Sequence, residues 1–129
     1  MATNHSLPQY RGIGAGIAIE LGRRGANVIV NYTSKRGAEA AEKVIDSIQG
    51  SGGKAKLVQA DVSKNTDLQS LVTAAVELSD TGKIDILVHN AGSGDDCYLA
   101  DMTEDFYESQ SDINLKGNMI TRGSELRSS

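Results

Sequence analysis

The sequence predicts an α/β fold, a Rossmann-type three-layer domain built on a doubly wound parallel sheet. Short β-branched runs alternate with longer segments in which apolar residues recur every three or four positions, as in strands joined by crossover helices. Two of those runs, Val28–Val30 and Ile86–Val88, contain no polar residue, which is typical of strands that are buried on both faces. We therefore expect helices on both faces of one parallel sheet.

The first helix is predicted over Gly14–Arg24. Gly25 follows it as a C-terminal stop, because glycine readily adopts the left-handed conformation that ends many helices. A strand over Asn27–Tyr32 comes next. The residues predicted to form the buried stripe of this helix are spaced by four: Ile13, Ile17 and Leu21.

A second amphipathic helix is predicted from Gly37 to about Gln49, and the glycine-rich segment Gly50–Gly53 ends it. A strand over Lys56–Ala60 and a third helix follow, with Gly82 beyond the end of that helix. The predicted buried stripes are Ala38, Ala41, Ile45 and Ile48 in the second helix, and Leu68, Leu71, Val72 and Ala75 in the third.

Another buried strand is predicted over Ile84–His89, and it leads directly into the segment Asn90–Gly92. Farther along, Thr103 is followed by Glu104 and Asp105. This order predicts the start of a helix, because acidic residues are favoured at the positive end of the helix dipole.

Length, charge and cysteine content exclude several classes of protein. The chain has 129 residues, which is enough for one domain, and its formal net charge of −4 argues against nucleic acid or an anionic membrane as the partner. The single Cys97 cannot close an internal disulfide, and the first ten residues contain no secretory signal, so we expect a cytoplasmic protein. No apolar run approaches the roughly 18 residues of a membrane span, and no metal site is predicted, since the acidic residues lack the spacing of a calcium loop.

A glycine-rich turn, Arg11–Gly16, opens the first helix. Backbone N–H groups at such a helix start can approach a pyrophosphate closely. The dinucleotide-binding fingerprint requires a third glycine at position 17, where Ile17 stands. Taken alone, the turn therefore leaves open the alternative that its glycines only cap the helix and bind no ligand.

Three further motifs accompany this turn in a characteristic order. They are Asp61-Val62, Asn90-Ala91-Gly92 and Asn114-Leu115-Lys116-Gly117, downstream of Gly12-Ile13-Gly14. With them the chain resembles the short-chain dehydrogenase/reductase family, and within it the branch of 3-oxoacyl-carrier-protein reductases and polyketide ketoreductases. The resemblance covers residues 11–117 and corresponds to about the first half of a family domain.

The resemblance implies a role for each matching residue. The cofactor's phosphates and ribose would contact Arg11, Gly12, Ile13 and Gly14; the adenine would lie against Asp61 and Val62; and the nucleotide side of the cleft would be closed by Asn90, Ala91 and Gly92. Asn114 matches the family's asparagine that helps to hold a proton-relay water, and it is the one catalytic residue carried over. A small carbonyl or alcohol substrate is implied, and a homo-oligomer stays open.

The choice of cofactor depends on the residues after the second predicted strand. About twenty residues past the glycines, where NAD-binding proteins place an acid for the ribose hydroxyls, this chain has Asn31. Arg11, Lys35 and Arg36 lie in the two loops that would flank a 2′-phosphate, which favours NADP over NAD. The alternative is that Lys35 and Arg36 are ordinary solvated charges before a helix.

The resemblance also shows which family features the chain lacks. The family's first strand, normally central in the sheet, has no counterpart, because residues 1–10 contain no β-branched run and Pro8 cannot donate to a ladder. No tyrosine is followed four residues later by lysine, so the family's Tyr-x-x-x-Lys pair is absent, as is its catalytic serine. The sequence therefore predicts one incomplete domain over residues 1–129, without the first strand and the C-terminal half, and with residues 1–10 and 122–129 disordered.

These observations predict an NADP(H)-dependent short-chain oxidoreductase that transfers hydride between nicotinamide and a carbonyl or secondary alcohol. Because a positioned general acid typically contributes 10²–10⁴-fold, we expect the chain as it stands to be inactive. Two alternatives stay open. The chain is a catalytically silent nucleotide-binding or dimer-modulating fragment, or it is another Rossmann-type enzyme, such as a methyltransferase that uses S-adenosylmethionine.

Overall fold

The computed structural model describes residues 2–3, 12–92 and 97–116 of the chain. In these residues the strands and α-helices are, in order, β1 (Ala2–Thr3), α1 (Ile13–Arg23), β2 (Val28–Tyr32), α2 (Lys35–Gly50), β3 (Ala55–Gln59), α3 (Asn65–Leu78) and α4 (Glu104–Ser111). A 3₁₀ turn at Leu99–Asp101 precedes α4, and a π-helical turn at Asp112–Lys116 follows it.

The three strands form one parallel sheet in the order β1-β2-β3. β2 and β3 pair in register along their whole length, from Val28 opposite Ala55 to Tyr32 opposite Gln59. α1 and α2 connect consecutive parallel strands, so the carboxyl ends of the strands and the amino ends of the helices that follow them lie at one edge of the sheet. The predicted α/β class is confirmed.

Side chains of β2 alternate between two hydrophobic clusters, one on each face of the sheet. Val28 and Val30 pack with α1 and α2, whereas Ile29 packs with α3. Helices therefore cover both faces, as the apolar run of this strand predicts. The remaining buried members are Ala18, Ala41, Val44 and Ile48 in the first cluster, and Ala60, Val62, Leu68, Leu71, Ala74 and Ala91 in the second.

Glycine ends both α1 and α2 as the sequence predicts. Gly25 has a φ of +89° and its N–H donates to the Gly22 carbonyl at 3.0 Å, while the Ala26 N–H donates to the Leu21 carbonyl at 3.1 Å. These two bonds satisfy carbonyl groups in the last turn of the helix, in the Schellman arrangement. Gly52, with a φ of +86°, occupies the equivalent position after α2.

The buried face of α1 differs from the predicted one. Ile13 is 78% exposed, and the buried positions hold small residues instead. A Cβ added at Gly22 would lie 2.5 Å from Cγ2 of Ile48, so α1 approaches α2 too closely there for a side chain to fit between them. Side-chain size, and not hydropathy alone, therefore selects this face. The buried residues of α1 are Gly14, Ala18 and Gly22. Of the predicted residues, Ile13 is exposed, whereas Ile17 and Leu21 are half-buried and Leu21 packs against the first cluster.

Two further differences concern strands. The sequence predicts none within residues 1–10, but Ala2–Thr3 forms β1, opposite Val30 and Asn31 of β2. Conversely, Ile84–His89 is predicted as a strand, and the structure assigns no strand to residues 84–90. A parallel strand requires a ladder with a neighbouring strand, and the sheet in the described residues comprises β1, β2 and β3. The predictions of disorder for the rest of residues 1–10 and for residues 122–129 lie outside the described residues.

The start of α4 agrees with the sequence. Thr103 is its N-cap, and the side-chain oxygen of Thr103 accepts a hydrogen bond from the Phe106 N–H at 3.2 Å. Glu104 and Asp105 occupy the first turn, where they interact favourably with the helix dipole. Across the described parts of the chain, no helix combines the length and apolarity that crossing a membrane requires.

Candidate functional site

Several of the predicted site residues lie at the carboxyl edge of the sheet. Gly12 precedes α1, Asn31 lies near the carboxyl end of β2, and Asp61 and Val62 follow β3. Arg11 lies outside the described residues. In open α/β sheets the crevice beyond the carboxyl ends of the strands is the place where ligands bind. This edge is therefore the candidate site.

The start of α1 leaves its first backbone N–H groups directed towards this edge. Gly12 is the N-cap, in an extended conformation with φ −63° and ψ 146°, and no side chain caps the helix. Its carbonyl accepts a hydrogen bond from the Gly16 N–H at 3.2 Å. Gly14 is buried whereas Ile13 is exposed, and the first turn contains no acidic residue. A helix start of this kind attracts an anion through its N–H groups and its dipole.

The start of α2 has similar properties. Ser34 is its N-cap, no side chain caps the helix, and the first turn contains no acidic residue. Lys35 and Arg36 open the helix, and both are exposed. The positive end of the dipole and two cationic side chains therefore coincide at the loop that follows β2.

Asn31 is buried, with 2% of its surface exposed. Its side-chain amide donates hydrogen bonds to three backbone carbonyls: Ala60 at 2.8 Å, Val58 at 3.3 Å and Tyr32 at 3.3 Å. The amide therefore joins the carboxyl ends of β2 and β3. The sequence places Asn31 where NAD-binding proteins have the acid that binds the ribose. In the structure the side chain of Asn31 faces the interior.

Asp61 organises the turn between β3 and α3. Its Oδ1 atom accepts hydrogen bonds from the backbone N–H of Ser63 at 3.0 Å and from the Ser63 hydroxyl at 2.7 Å. The backbone N–H of Asp61 donates to Oδ2 of Asp67 at 2.8 Å. Val62, between them, is buried against α3 in the second hydrophobic cluster. The turn is thus held on both sides.

Sequence reasoning did not identify Ser63 and Asp67 as parts of this site. The signal was present, because an aspartate followed two residues later by serine is a common turn motif in which the carboxylate accepts from the backbone. Asp67 lies in the first turn of α3, where an acidic side chain is favoured. Both residues support the turn that presents Asp61 and Val62.

The structure brings Gly92 and Asn114 together. A Cβ added at Gly92 would lie 3.0 Å from Oδ1 of Asn114, so glycine permits this close approach. Asn114 lies within the π-helical turn Asp112–Lys116, and π turns inside helices often occur at functional sites. Ala91 is buried in the cluster beneath α3, and Asn90 is half-buried.

A separate cavity of about 280 Å³ lies near the opposite, amino-terminal end of β2, between Val28 and Ile29 and the segment at Ile84. Asp80 lies at its margin, and the hydrogen bond from Lys54, together with one from Asn27, holds the pKa of the Asp80 carboxyl below its usual value. None of the predicted cofactor residues lines this cavity. Among the residues that the structure describes, no group of three or more His, Cys, Asp or Glu side chains is arranged to hold a metal ion.

Similarity to known proteins supports this description. The family model described as "short chain dehydrogenase" matches residues 9–127. The chain is 46% identical over 106 residues to the short-chain dehydrogenase/reductase FrzI of Cladobotryum sp, covering 82% of this chain and 40% of that protein. It is 43% identical over 110 residues to versicolorin reductase stcU of Emericella nidulans, covering 85% of this chain and 40% of that one. The chain therefore spans about two fifths of the length of these relatives.

Solved structures agree. A short-chain dehydrogenase/reductase from Serratia marcescens superposes with a TM-score of 0.82 at 30% identity, covering 92% of this chain and 46% of that one. A blue fluorescent protein from a metagenomic library, solved in complex with NADPH, superposes with a TM-score of 0.84 at 27% identity, covering 98% of this chain and 49% of that one.

Proposed function

Because the chain belongs to the short-chain dehydrogenase family, we propose that it binds NADP(H) at the carboxyl edge of its sheet. The observation that carries the proposal is the start of α1: no side chain caps it, its first turn contains no acidic residue, and it lies at the same edge of the sheet as the turn that Asp61 organises. The N–H groups at Gly12–Gly14 would hold the pyrophosphate, and the turn at Asp61 and Val62 would line the adenine side.

The start of α2 favours NADP over NAD. A 2′-phosphate carries an additional negative charge, and α2 offers its dipole, free of acidic residues in the first turn, with Lys35 and Arg36 exposed there. Asn31, one residue before the end of β2, has its side chain in the interior, so discrimination between the cofactors would rest on the start of α2. Arg11 would add a third cation by family resemblance.

The proposed reaction of the whole protein is reduction of a carbonyl, or oxidation of a secondary alcohol, on a small polyketide-like substrate. Relatives named versicolorin reductase and probable tetrahydroxynaphthalene reductase, the latter at 42% identity, support this class. Bound NADP(H) would supply the hydride for the reduction or accept it in the oxidation. In the chain itself, Gly92 would close the nucleotide side of the cleft and Asn114 would hold a water for proton transfer. The reducing environment that suits an exposed free Cys97 makes the cytoplasm our proposed location.

The experiment is a fluorescence titration of the 129-residue chain with NADPH and with NADH. We expect saturable binding of NADPH that is tighter than that of NADH. Lys35→Glu should weaken NADPH binding by about 10–100-fold, the size of a lost charge-assisted hydrogen bond of roughly 1.5–3 kcal/mol, and should leave NADH nearly unchanged. Lys43→Glu is the matched control, because it makes the same charge change on the exposed face of the same helix, eight residues farther along. Equal affinity for both nucleotides would contradict the NADP preference, and no binding of either would contradict the proposed site.

A second candidate function is nucleotide binding without turnover. The observation that favours it is the set of residues four positions after Tyr10, Tyr32, Tyr98 and Tyr107, which are Gly14, Arg36, Met102 and Ser111 and include no lysine. We expect the 129-residue chain to bind NADPH without oxidising it in the presence of a ketone. Oxidation of NADPH above a heat-denatured control would overturn this candidate and favour an active enzyme.

A further inference from the structure

Asn31 occupies an unusual position for a polar side chain. It lies one residue before the end of β2, it is 2% exposed, and it is the one polar residue among the buried residues described. Burying an amide is costly unless hydrogen bonds compensate it. The three carbonyl acceptors around its Nδ2 atom provide that compensation.

The geometry requires a donor at this position. An amide has two N–H groups, so with three carbonyls within 3.3 Å at least one hydrogen is shared, and the Ala60 carbonyl at 2.8 Å is the closest acceptor. An aspartate here would place carboxylate oxygens against carbonyl oxygens. A leucine of similar size would leave the buried Ala60 carbonyl without this donor.

The bonds connect the two loops that the proposed site uses. Tyr32 is the last residue of β2, ahead of the loop that leads to Lys35, and Ala60 directly precedes Asp61. The Ala60 N–H also donates to the Tyr32 carbonyl at 2.9 Å. A backbone bond and the bonds of the Asn31 side chain therefore fix the same two strand ends to each other.

We propose that Asn31 is a positioning residue for the cofactor, which holds the loop after β2 and the Asp61 turn at a fixed separation without touching the nucleotide. This inference rests on the proposed binding of NADP(H). The exposed start of α2 would discriminate between the two cofactors, whereas Asn31 would position the part of the site that binds the groups common to NADPH and NADH. Loss of the amide therefore weakens the binding of both cofactors by the same factor.

The test compares Asn31→Leu with Ile48→Val in the full chain, by titration with NADPH and NADH well below both melting temperatures. Ile48 is a matched control because it is fully buried and packs against Gly22 and Gly53, away from the proposed site. We expect Asn31→Leu to weaken the binding of both nucleotides at least about tenfold, which corresponds to roughly 1.4 kcal/mol. The ratio of the two affinities should stay unchanged. We expect Ile48→Val to change neither.

Hydrogen exchange distinguishes a local loosening at the Asp61 turn from a general loss of stability. In Asn31→Leu the backbone amides of Ala60, Asp61 and Ser63 should exchange faster than in wild type, while those of α2 near Ile48 keep their rates. A changed NADPH-to-NADH ratio would mean direct contact with the cofactor and would overturn the proposal. Unchanged affinities, or an equal loss in Ile48→Val, would overturn it as well.

A measurement on the wild-type chain keeps the proposal falsifiable if the leucine variant does not fold. The side-chain NH₂ protons of Asn31 should exchange with water far more slowly than those of the exposed Asn65, and equally fast exchange would refute the hydrogen bonds on which the proposal depends. If wild type binds neither nucleotide, the proposed function fails, and this exchange measurement still reports on the geometry at Asn31.

Discussion

Replacing Gly22 by alanine tests the close packing of α1 on α2. The added Cβ would lie 2.5 Å from Cγ2 and 2.9 Å from Cγ1 of Ile48, both shorter than carbon atoms tolerate. Ile48 cannot move away easily, because it is fully buried in the first hydrophobic cluster. The helix and the core must therefore shift to accept the methyl group.

The magnitude follows from two opposing terms. Alanine in place of glycine inside a helix stabilises the folded state by roughly 1 kcal/mol, whereas overpacking a well-packed core costs about 1–3 kcal/mol. Gly16→Ala makes the same replacement in the same helix, where nothing lies within 4 Å of the added Cβ. The propensity term is common to both variants, so their difference isolates the overpacking cost.

Urea denaturation followed by circular dichroism measures this difference. We expect Gly16→Ala to raise the free energy of unfolding by about 0.5–1 kcal/mol and Gly22→Ala to lie about 1–3 kcal/mol below Gly16→Ala. With a slope of about 1–3 kcal/mol/M, the two midpoints should differ by roughly 1 M urea. A Gly22→Ala chain as stable as Gly16→Ala would refute the close approach of the two helices.

Three further predictions concern the site, the far edge of the sheet and α4. Gly92→Ala should displace the Asn114 side chain, whose Oδ1 lies 3.0 Å from the added Cβ, and weaken NADPH binding about threefold to tenfold; an unchanged affinity in the titration would contradict this contact. The lowered pKa of Asp80, caused mainly by its hydrogen bond from Lys54, means that its stabilising effect is present above the ordinary carboxyl pKa and is lost as pH falls through the lowered value. In Asp80→Asn the urea midpoint should therefore fall less steeply with decreasing pH below about pH 4 than in wild type. The same pH dependence in both proteins would contradict a stabilising role for the Asp80 carboxylate. Thr103→Ala removes the side-chain cap of α4 and should destabilise the first turn of the helix by about 1 kcal/mol, read as faster exchange of the Phe106 amide. Ser111→Ala in the same helix is the control, and unchanged exchange at Phe106 would exclude the cap.

Local signals in the sequence predicted most elements of the fold. The run Val28–Val30 indicated a strand buried on both faces, and the structure packs its side chains alternately against helices on either side. Gly25 predicted the end of α1, and Thr103 predicted the start of α4, within a residue or two. These signals act through neighbours in the chain, by hydrophobic period, backbone conformation and capping, so they can be read from the chain alone.

The incorrect predictions all depend on which other segment lies nearby. Hydropathy favoured Ile13 as part of the buried face of α1, but Ile13 is exposed, and the close approach of Ile48 leaves room only for glycine at position 22. Ile84–His89 has the composition of a strand, yet a strand also requires a ladder with a neighbour, and the described residues show no ladder for this segment. No pattern within either segment contains that information.

The sequence by itself determined the parallel α/β class, the order of the helices and of strands β2 and β3, and the family whose motifs the chain carries. Tertiary structure alone decided that the amide of Asn31 faces three carbonyls in the interior and that Gly92 meets Asn114 across 22 residues of chain. Periodicity and capping are properties of neighbouring residues, whereas the hydrogen-bond partners of a buried amide and the space beside a glycine exist only after distant segments have packed together.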